Sequence, residues 1–199
     1  MRNVRKPSGY VGLDHLTLGS DLLSIEQALA ALSPTARTAN NILGVANREF
    51  LSSVQPDSWY PIQSLLDILE QLDQQLGRYG LIKIGRTLFK LTHEARVKEV
   101  ASTGYDIISG FDAMYRHANR GNQIGGWKLL RFDGRGAELE KTTPHHCAME
   151  EGIFTQALSA VGVSAVITQP LCFRKGAAAC RFEITPVGGT EHWGAAPPK

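Results

Sequence analysis

The spacing of hydrophobic residues changes once along this chain, near residue 120, and that change limits the folds open to it. Before it, apolar side chains recur at helical spacing, as in Leu22, Ile25 and Leu29. After it, short β-branched and aromatic segments are separated by turn residues, as in residues 163–171. Helices and strands kept apart in this way are typical of an α+β domain with a mostly antiparallel sheet.

The pattern predicts helices first and then a hairpin–helix–hairpin arrangement. The predicted helices cover residues 21–32, 40–53, 61–76, 81–100 and 103–118. The first hairpin joins strands 127–132 and 137–143 around Asp133-Gly134. A helix over residues 148–161 follows, and strands 163–171 and 180–187 form the second hairpin. The predicted fold class is therefore α+β, an N-terminal helical half followed by an antiparallel sheet.

The length of 199 residues predicts one domain. Apolar residues make up 43% of the chain, which is enough to build a hydrophobic core. We place this domain at residues 20–187, after an N-terminal extension over residues 1–19. The glycine- and proline-rich end, residues 188–199, is predicted to be a flexible tail.

The charge balance excludes two classes of partner. The net charge is +2, from 21 basic and 19 acidic residues, so the sequence has no basic footprint for nucleic acid or for a membrane surface. No apolar stretch approaches the roughly 20 residues that a transmembrane helix needs. The N-terminus also lacks the apolar region of a secretory signal. We therefore expect a cytoplasmic protein.

Three cysteines, Cys147, Cys172 and Cys180, lie in the last third of the chain. An odd number without a secretory signal argues against a disulfide framework. The second hairpin would bring Cys172 and Cys180 together, and the helix that starts beside Cys147 leads into it. Three thiolates and a fourth ligand can form a tetrahedral zinc site, whereas isolated cysteines are commonly small buried hydrophobes. Candidate fourth ligands are Gln169, His145, His146, Glu150 and Glu151.

Aromatic residues gather where the helices give way to the sheet. Phe111, Tyr115 and Trp127 could line an apolar cavity for a small ligand, or they could be ordinary core residues. His93 could ligate a metal or heme, or it could be a structural histidine. Phosphate-binding, dinucleotide-binding and hydrolase motifs are absent from the sequence, so we expect a binding protein and not an enzyme.

The stretch PHHCAMEEGIFTQALSAVG…ITQPLCFRKGAAACRFEI resembles the C-terminal signature of 4-vinyl reductase-type domains. In that signature a proline and a cysteine precede an acidic residue and a glycine that open a helix, and two further cysteines flank a glycine turn. The helical part, LSPTAR…SWYPIQSLLDIL…IGRTLF, is similar to that of related bacterial proteins. The wider superfamily also contains heme-based nitric-oxide sensors and TRAPP-type vesicle-tethering subunits. The matching positions are Pro144, Cys147, Glu151, Gly152, Cys172, Gly176, Cys180 and Phe182.

The resemblance implies a binding module for small apolar molecules. Phenol-sensing relatives hold zinc with three cysteines and a glutamate, beside a pocket that includes a tryptophan. Carried over, the cysteines are Cys147, Cys172 and Cys180, and the tryptophan is Trp127. Gln169 stands at the position of the glutamate, and a neutral amide is a poor zinc ligand. Heme relatives use a Tyr-x-Ser-x-Arg motif that this sequence lacks, which argues against heme.

Our leading prediction is a sensory module for a small hydrophobic or aromatic molecule, with a structural zinc at the cysteines. It would signal through a homodimer or through a separate signalling protein. Two alternatives remain open at this point. One is a heme-dependent gas sensor with His93 as the ligand, and the other is a protein-interaction scaffold that holds no ligand.

Overall fold

A computed structural model describes residues 14–189 and 191–194, and it places helices first and a sheet after them. This arrangement confirms the predicted α+β class. The helices are α1 (Gly19–Leu32), α2 (Ala36–Ser52), α3 (Ile62–Thr92), α4 (Glu94–Val100), α5 (Gly104–Ala118) and α6 (Cys147–Ala160). The strands are β1 (Leu16–Leu18), β2 (Trp59–Pro61), β3 (Asn119–Arg120), β4 (Trp127–Asp133), β5 (Gly136–Lys141), β6 (Ala165–Leu171) and β7 (Cys180–Pro186), and a 3-10 turn at Phe173–Lys175 precedes β7.

Helix α3 differs from the prediction in two places, at Gly77 and at His93. Gly77 takes a non-helical conformation (φ 64°, ψ −176°), but the helix resumes beyond it, so the break is a local kink. The predicted helix over residues 81–100 is instead interrupted at His93, whose backbone (φ −122°, ψ −26°) leaves the helical region. Neither glycine nor proline stands there, so no local sequence signal marks this break.

Helix α5 begins where the sequence predicts, because its first turn is capped by a local motif. The Thr103 hydroxyl accepts a hydrogen bond from the Asp106 N–H, and the Asp106 carboxylate accepts one from the Thr103 N–H. This reciprocal arrangement is a capping box, which satisfies backbone donors that the helix itself cannot pair. It fixes the start of the helix that carries Phe111 and Tyr115.

The larger sheet has the strand order β4-β5-β7-β6, and every neighbouring pair is antiparallel. The two predicted hairpins are its outer pairs, and they join through β5 and β7. That central pairing sets Lys141 directly opposite Cys180. The sequence prediction missed a small sheet of order β2-β1-β3, whose strands of two or three residues are too short to show an alternating pattern.

Helices α3 and α6 cross at unusually short range, because a glycine stands on each side. A side-chain carbon added to Gly85 would overlap the Met149 carbonyl, and one added to Gly152 would overlap the Ile82 carbonyl. The close approach lets α6 bury residues along most of its circumference. Helix α6 therefore lies centrally, between α3 and the sheet.

The end of the described chain is anchored to the domain. Trp193 is only 1% exposed, its ring stacks on Phe132 at 4.8 Å, and its indole N–H donates a hydrogen bond to the Asp133 carbonyl. The prediction of a flexible tail over residues 188–199 does not fit Trp193, because a tryptophan can bury a large apolar ring and still satisfy its N–H. No helix in the described residues is long and apolar enough to cross a membrane.

Candidate functional site

A cavity of about 580 Å³ opens among the helices of the N-terminal half. The start of α1, the end of α3, α4 and one face of α5 form its walls. Cofactor and small-molecule pockets commonly measure about 300–1,000 Å³, so this volume suits such a ligand. Most of the side chains in these walls are apolar, among them Phe89, Val97, Val100, Ile107, Phe111 and Met114.

Eight polar side chains also line the cavity, and five of them are titratable: Asp21, His93, Arg96, Asp106 and His117. Burial raises the pKa of Asp21 to about 6. Burial lowers the pKa of His93, and the charges of His117 and Arg96 lower it further. His93 is therefore a neutral imidazole at neutral pH, which is the protonation state that ligates metals. Its ring packs against Phe89, with 5.8 Å between ring centroids.

The three residues predicted to bind a ligand, Phe111, Tyr115 and Trp127, do come together, around a second and much smaller void of about 60 Å³. Phe111 stacks on Phe154 at 3.7 Å and meets Trp127 edge-on at 5.1 Å. The Tyr115 hydroxyl donates to the Ile124 carbonyl at 2.8 Å.

A void of that size is too small for the expected aromatic molecule. A water molecule takes up about 30 Å³ of liquid, and a cavity known to accept benzene measures about 150 Å³. Only Phe111 also borders the large cavity. Ligand binding by Tyr115 and Trp127 stays a prediction.

The three cysteines converge as the hairpin argument predicted. The Cys147 sulfur lies 3.4 Å from that of Cys180 and 3.7 Å from that of Cys172, and all three side chains are buried. The three sulfurs lie within 4.8 Å of one another, which is a spacing that could hold a metal ion. Cys147 opens α6 and Cys180 opens β7, so the central position of α6 brings them together.

Most of the candidate fourth ligands have other partners. His145 lies 3.3 Å from the Glu150 carboxylate, and His146 lies 3.3 Å from Asp73 on α3. Glu151 pairs with Arg78. Gln169 is half-buried and is one of the groups that lower the pKa of Cys147, so of the predicted set it lies beside the cluster. Its amide nitrogen makes no hydrogen bond with a described residue.

Sequence reasoning missed Lys141, a fully buried lysine beside the cysteines. Its ammonium group donates to the carbonyls of His145 at 2.6 Å and Thr143 at 3.2 Å, and it lies 3.7 Å from the Cys147 sulfur. A signal was available. Lys141 follows Ala137 and Leu139 on the inward face of β5, where a charged residue needs a buried partner.

The cluster shifts the pKa values of Cys147 and Cys180 in opposite directions. Hydrogen bonds from Cys172 and Cys180 hold the pKa of the Cys147 thiol well below its usual range, and the Lys141 charge lowers it further. The same contacts raise the pKa of Cys180, because its proton is the one that is donated. The result is a buried Cys147 thiolate balanced by the Lys141 ammonium group.

No protein-family model matches this chain, and neither does any curated protein. Solved structures do resemble it. An H-NOX protein from S. oneidensis in the Fe(II)NO ligation state aligns with 86% of this chain and 99% of its own, at a TM-score of 0.67 and 14% identity. The Fe(II) unliganded H-NOX protein from K. algicida aligns with 86% and 97%, at a TM-score of 0.66 and 8% identity. This chain has the H-NOX fold.

The likeness shows a fold shared with H-NOX proteins, while the narrower label of a 4-vinyl reductase-type domain stays a prediction. It also corrects the cofactor prediction. The neighbours are H-NOX proteins in Fe(II) unliganded and Fe(II)NO states, and this finding contradicts the expectation of zinc with heme argued against. That expectation relied on a short missing motif, whereas a cofactor pocket is formed by helices that are distant in sequence.

Proposed function

We propose that this chain is a sensory module that binds heme in the 580 Å³ cavity, with His93 as a ligand to the iron. The observation that carries the proposal is the cavity itself, which has cofactor size, a mainly apolar wall and a neutral imidazole on that wall. Neither ring nitrogen of His93 has a hydrogen-bond partner among the described residues. Imidazole is the usual protein ligand of heme iron.

The rest of the wall suits a planar, mostly apolar group that carries carboxylates at one edge. Phe89, Ile107 and Phe111 would pack against its faces and exclude water. Arg96 lies about one helical turn after His93 and is exposed, so it could pair with a carboxylate at the mouth of the cavity. Heme would supply an iron centre that binds a gas, and the chain's own residues would hold and desolvate it.

Helix α5 is the element best placed to transmit the state of the cavity. One face of it borders the cavity, and the Asp112 carboxylate accepts a hydrogen bond from the Trp127 backbone N–H on β4. At its start, Gly104 and Tyr105 donate backbone hydrogen bonds to His192 and Trp193. A shift of α5 would therefore reach the sheet and the C-terminal segment. We infer a binding module without enzymatic activity that signals through a second copy or a separate protein.

A hemin titration followed by absorption spectroscopy tests this function. We expect the wild-type chain to bind one hemin with a shifted Soret band, and His93→Ala to weaken binding by about tenfold or more, as for the loss of one strong polar contact. His192→Ala is the matched control, because His192 is an exposed histidine that does not border the cavity. A wild-type spectrum identical to that of free hemin would contradict the proposal.

A second variant tests the cavity without touching a candidate ligand. Gly110 borders the cavity from α5, and no atom lies within 4 Å of where its side chain would begin. Gly110→Phe should therefore fold, as judged by circular dichroism, and should lose hemin binding because the ring fills the space. Unchanged binding would place the heme elsewhere.

A small apolar molecule is the second candidate ligand of the same cavity. The apolar side chains at its outer end, Val97, Val100 and Ala101, favour it. Native mass spectrometry of the purified protein distinguishes the two, because a copurified hydrophobic compound would have its own mass and no Soret band.

A further inference from the structure

A second histidine, His117, borders the same cavity as His93. His93 lies at the break between α3 and α4, and His117 lies in the last turn of α5, so the two imidazoles project from different walls. Met114 lies on α5 one helical turn before His117, and it also borders the cavity. The half-buried His93 and the exposed His117 thus both border one mainly apolar cavity.

His93 and His117 differ from the three buried histidines of the described chain. His15, His145 and His146 each have a polar partner, namely Asn122, Glu150 and Asp73. His93 and His117 make no hydrogen bond or ion pair with a described residue. Both rings border the cavity, so both are available to a ligand held there.

We propose that His93 and His117 both ligate the heme iron, an inference that rests on the proposed function. The iron would then be six-coordinate when no external ligand is present. His93 is the permanent ligand, because it is half-buried and its ring is held against Phe89. His117 is the ligand that an incoming gas displaces, since its side chain is exposed and lies where α5 ends.

Displacement of His117 has two consequences. A gas that must compete with a bound side chain shows a lower apparent affinity, by about tenfold if the open form is only a tenth of the population. Release of His117 also frees the last turn of α5. Two residues later, the buried Asn119 begins strand β3. Gas binding would thus be coupled to the small sheet through a side chain of this helix.

The coordination state of the hemin-loaded chain tests the proposal. Absorption and resonance Raman spectra should show a six-coordinate low-spin iron in the wild type. His117→Ala should bind hemin with the same stoichiometry and give a five-coordinate high-spin iron, and added imidazole should restore the six-coordinate spectrum. After reduction of the hemin-loaded chains with dithionite, carbon monoxide should bind His117→Ala about tenfold more tightly than the wild type, and His192→Ala should match the wild type.

Three outcomes would overturn the inference and leave the proposed function standing. They are a five-coordinate wild type, a six-coordinate His117→Ala variant, and a five-coordinate Met114→Leu variant, which would assign the sixth ligand to the methionine. A wild-type chain that binds no hemin would overturn the proposed function, and the inference with it.

Discussion

Replacement of Gly152 by alanine tests the close crossing of α3 and α6. An added methyl carbon would lie 2.9 Å from the Ile82 carbonyl carbon and 3.0 Å from the Arg86 nitrogen, and closer still to the Ile82 oxygen. Comfortable contacts between such atoms lie at about 3.5–4.0 Å. The two helices would therefore have to separate by roughly 0.5–1 Å to admit the methyl group.

The cost should be large for so small a change. Overpacking typically costs about 1–3 kcal/mol, and here the obstructing atoms belong to the backbone, which cannot rotate aside as a side chain would. Alanine is the better helix former by about 1 kcal/mol, and this gain offsets part of the cost. We expect Gly152→Ala to lower the free energy of unfolding by about 2 kcal/mol or more.

Urea unfolding followed by circular dichroism measures this difference. Gly110→Ala is the matched control, since it places a methyl group on helix α5 with no atom within 4 Å. That variant should be more stable than the wild type by up to about 1 kcal/mol. If Gly152→Ala were as stable as the wild type, the two helices would not cross at backbone contact, and the central position of α6 would lose its explanation.

Three further changes address charge and burial. Burial raises the pKa of Asp21 from 3.8 to about 6, so the contribution of its protonated form to stability is complete below pH 4 and is lost as the pH rises through 6. Asp21→Asn should therefore match the wild type near pH 4 and exceed its free energy of unfolding at pH 8 by up to about 3 kcal/mol. Equal free energies of unfolding at pH 8 would contradict this prediction. Lys141→Met removes the charged neighbour of Cys147, so urea unfolding should show a free energy of unfolding lower by about 3–5 kcal/mol. The pKa of Cys147 should also rise, which slows its alkylation at neutral pH. An unchanged alkylation rate would mean that Lys141 does not influence the Cys147 thiol. Trp193→Ala should cost about 3–5 kcal/mol in thermal or urea unfolding, against less than about 0.5 kcal/mol for the exposed Val187→Ala; equal effects would mean that the indole is not anchored in solution.

The parts of the fold that the sequence predicts are those with local causes. The capping pair Thr103 and Asp106 lies within four residues, so the start of α5 could be predicted to within one residue. The convergence of Cys172 and Cys180 also has a local cause, because the turn at Gly176 reverses the chain between them. Lys141 could have been found as well, since the alternation of β5 places it inward.

The candidate site is different, because its parts come from distant segments. No pattern near His93 marks the break between α3 and α4, and nothing near His117 indicates a shared cavity. The prediction about heme failed for the same reason, because it relied on a short motif. A missing short motif argued against heme, but the volume of the cavity depends on how α1, α3, α4 and α5 pack, and that packing leaves no short signature in any one of them.

The amino-acid sequence by itself therefore determined the order of the main helices and of the strands of the larger sheet, the meeting of Cys172 and Cys180, and the near balance of charge. Each of these depends on side-chain periodicity, turn residues or composition, which act over a few residues or over the chain as a whole. Only the tertiary structure decided that the space beside α5 stays open while the space beside Trp127 closes. The reason is that a cavity is what remains when side chains from distant segments fail to fill a volume, and packing of that kind is settled only when those segments meet.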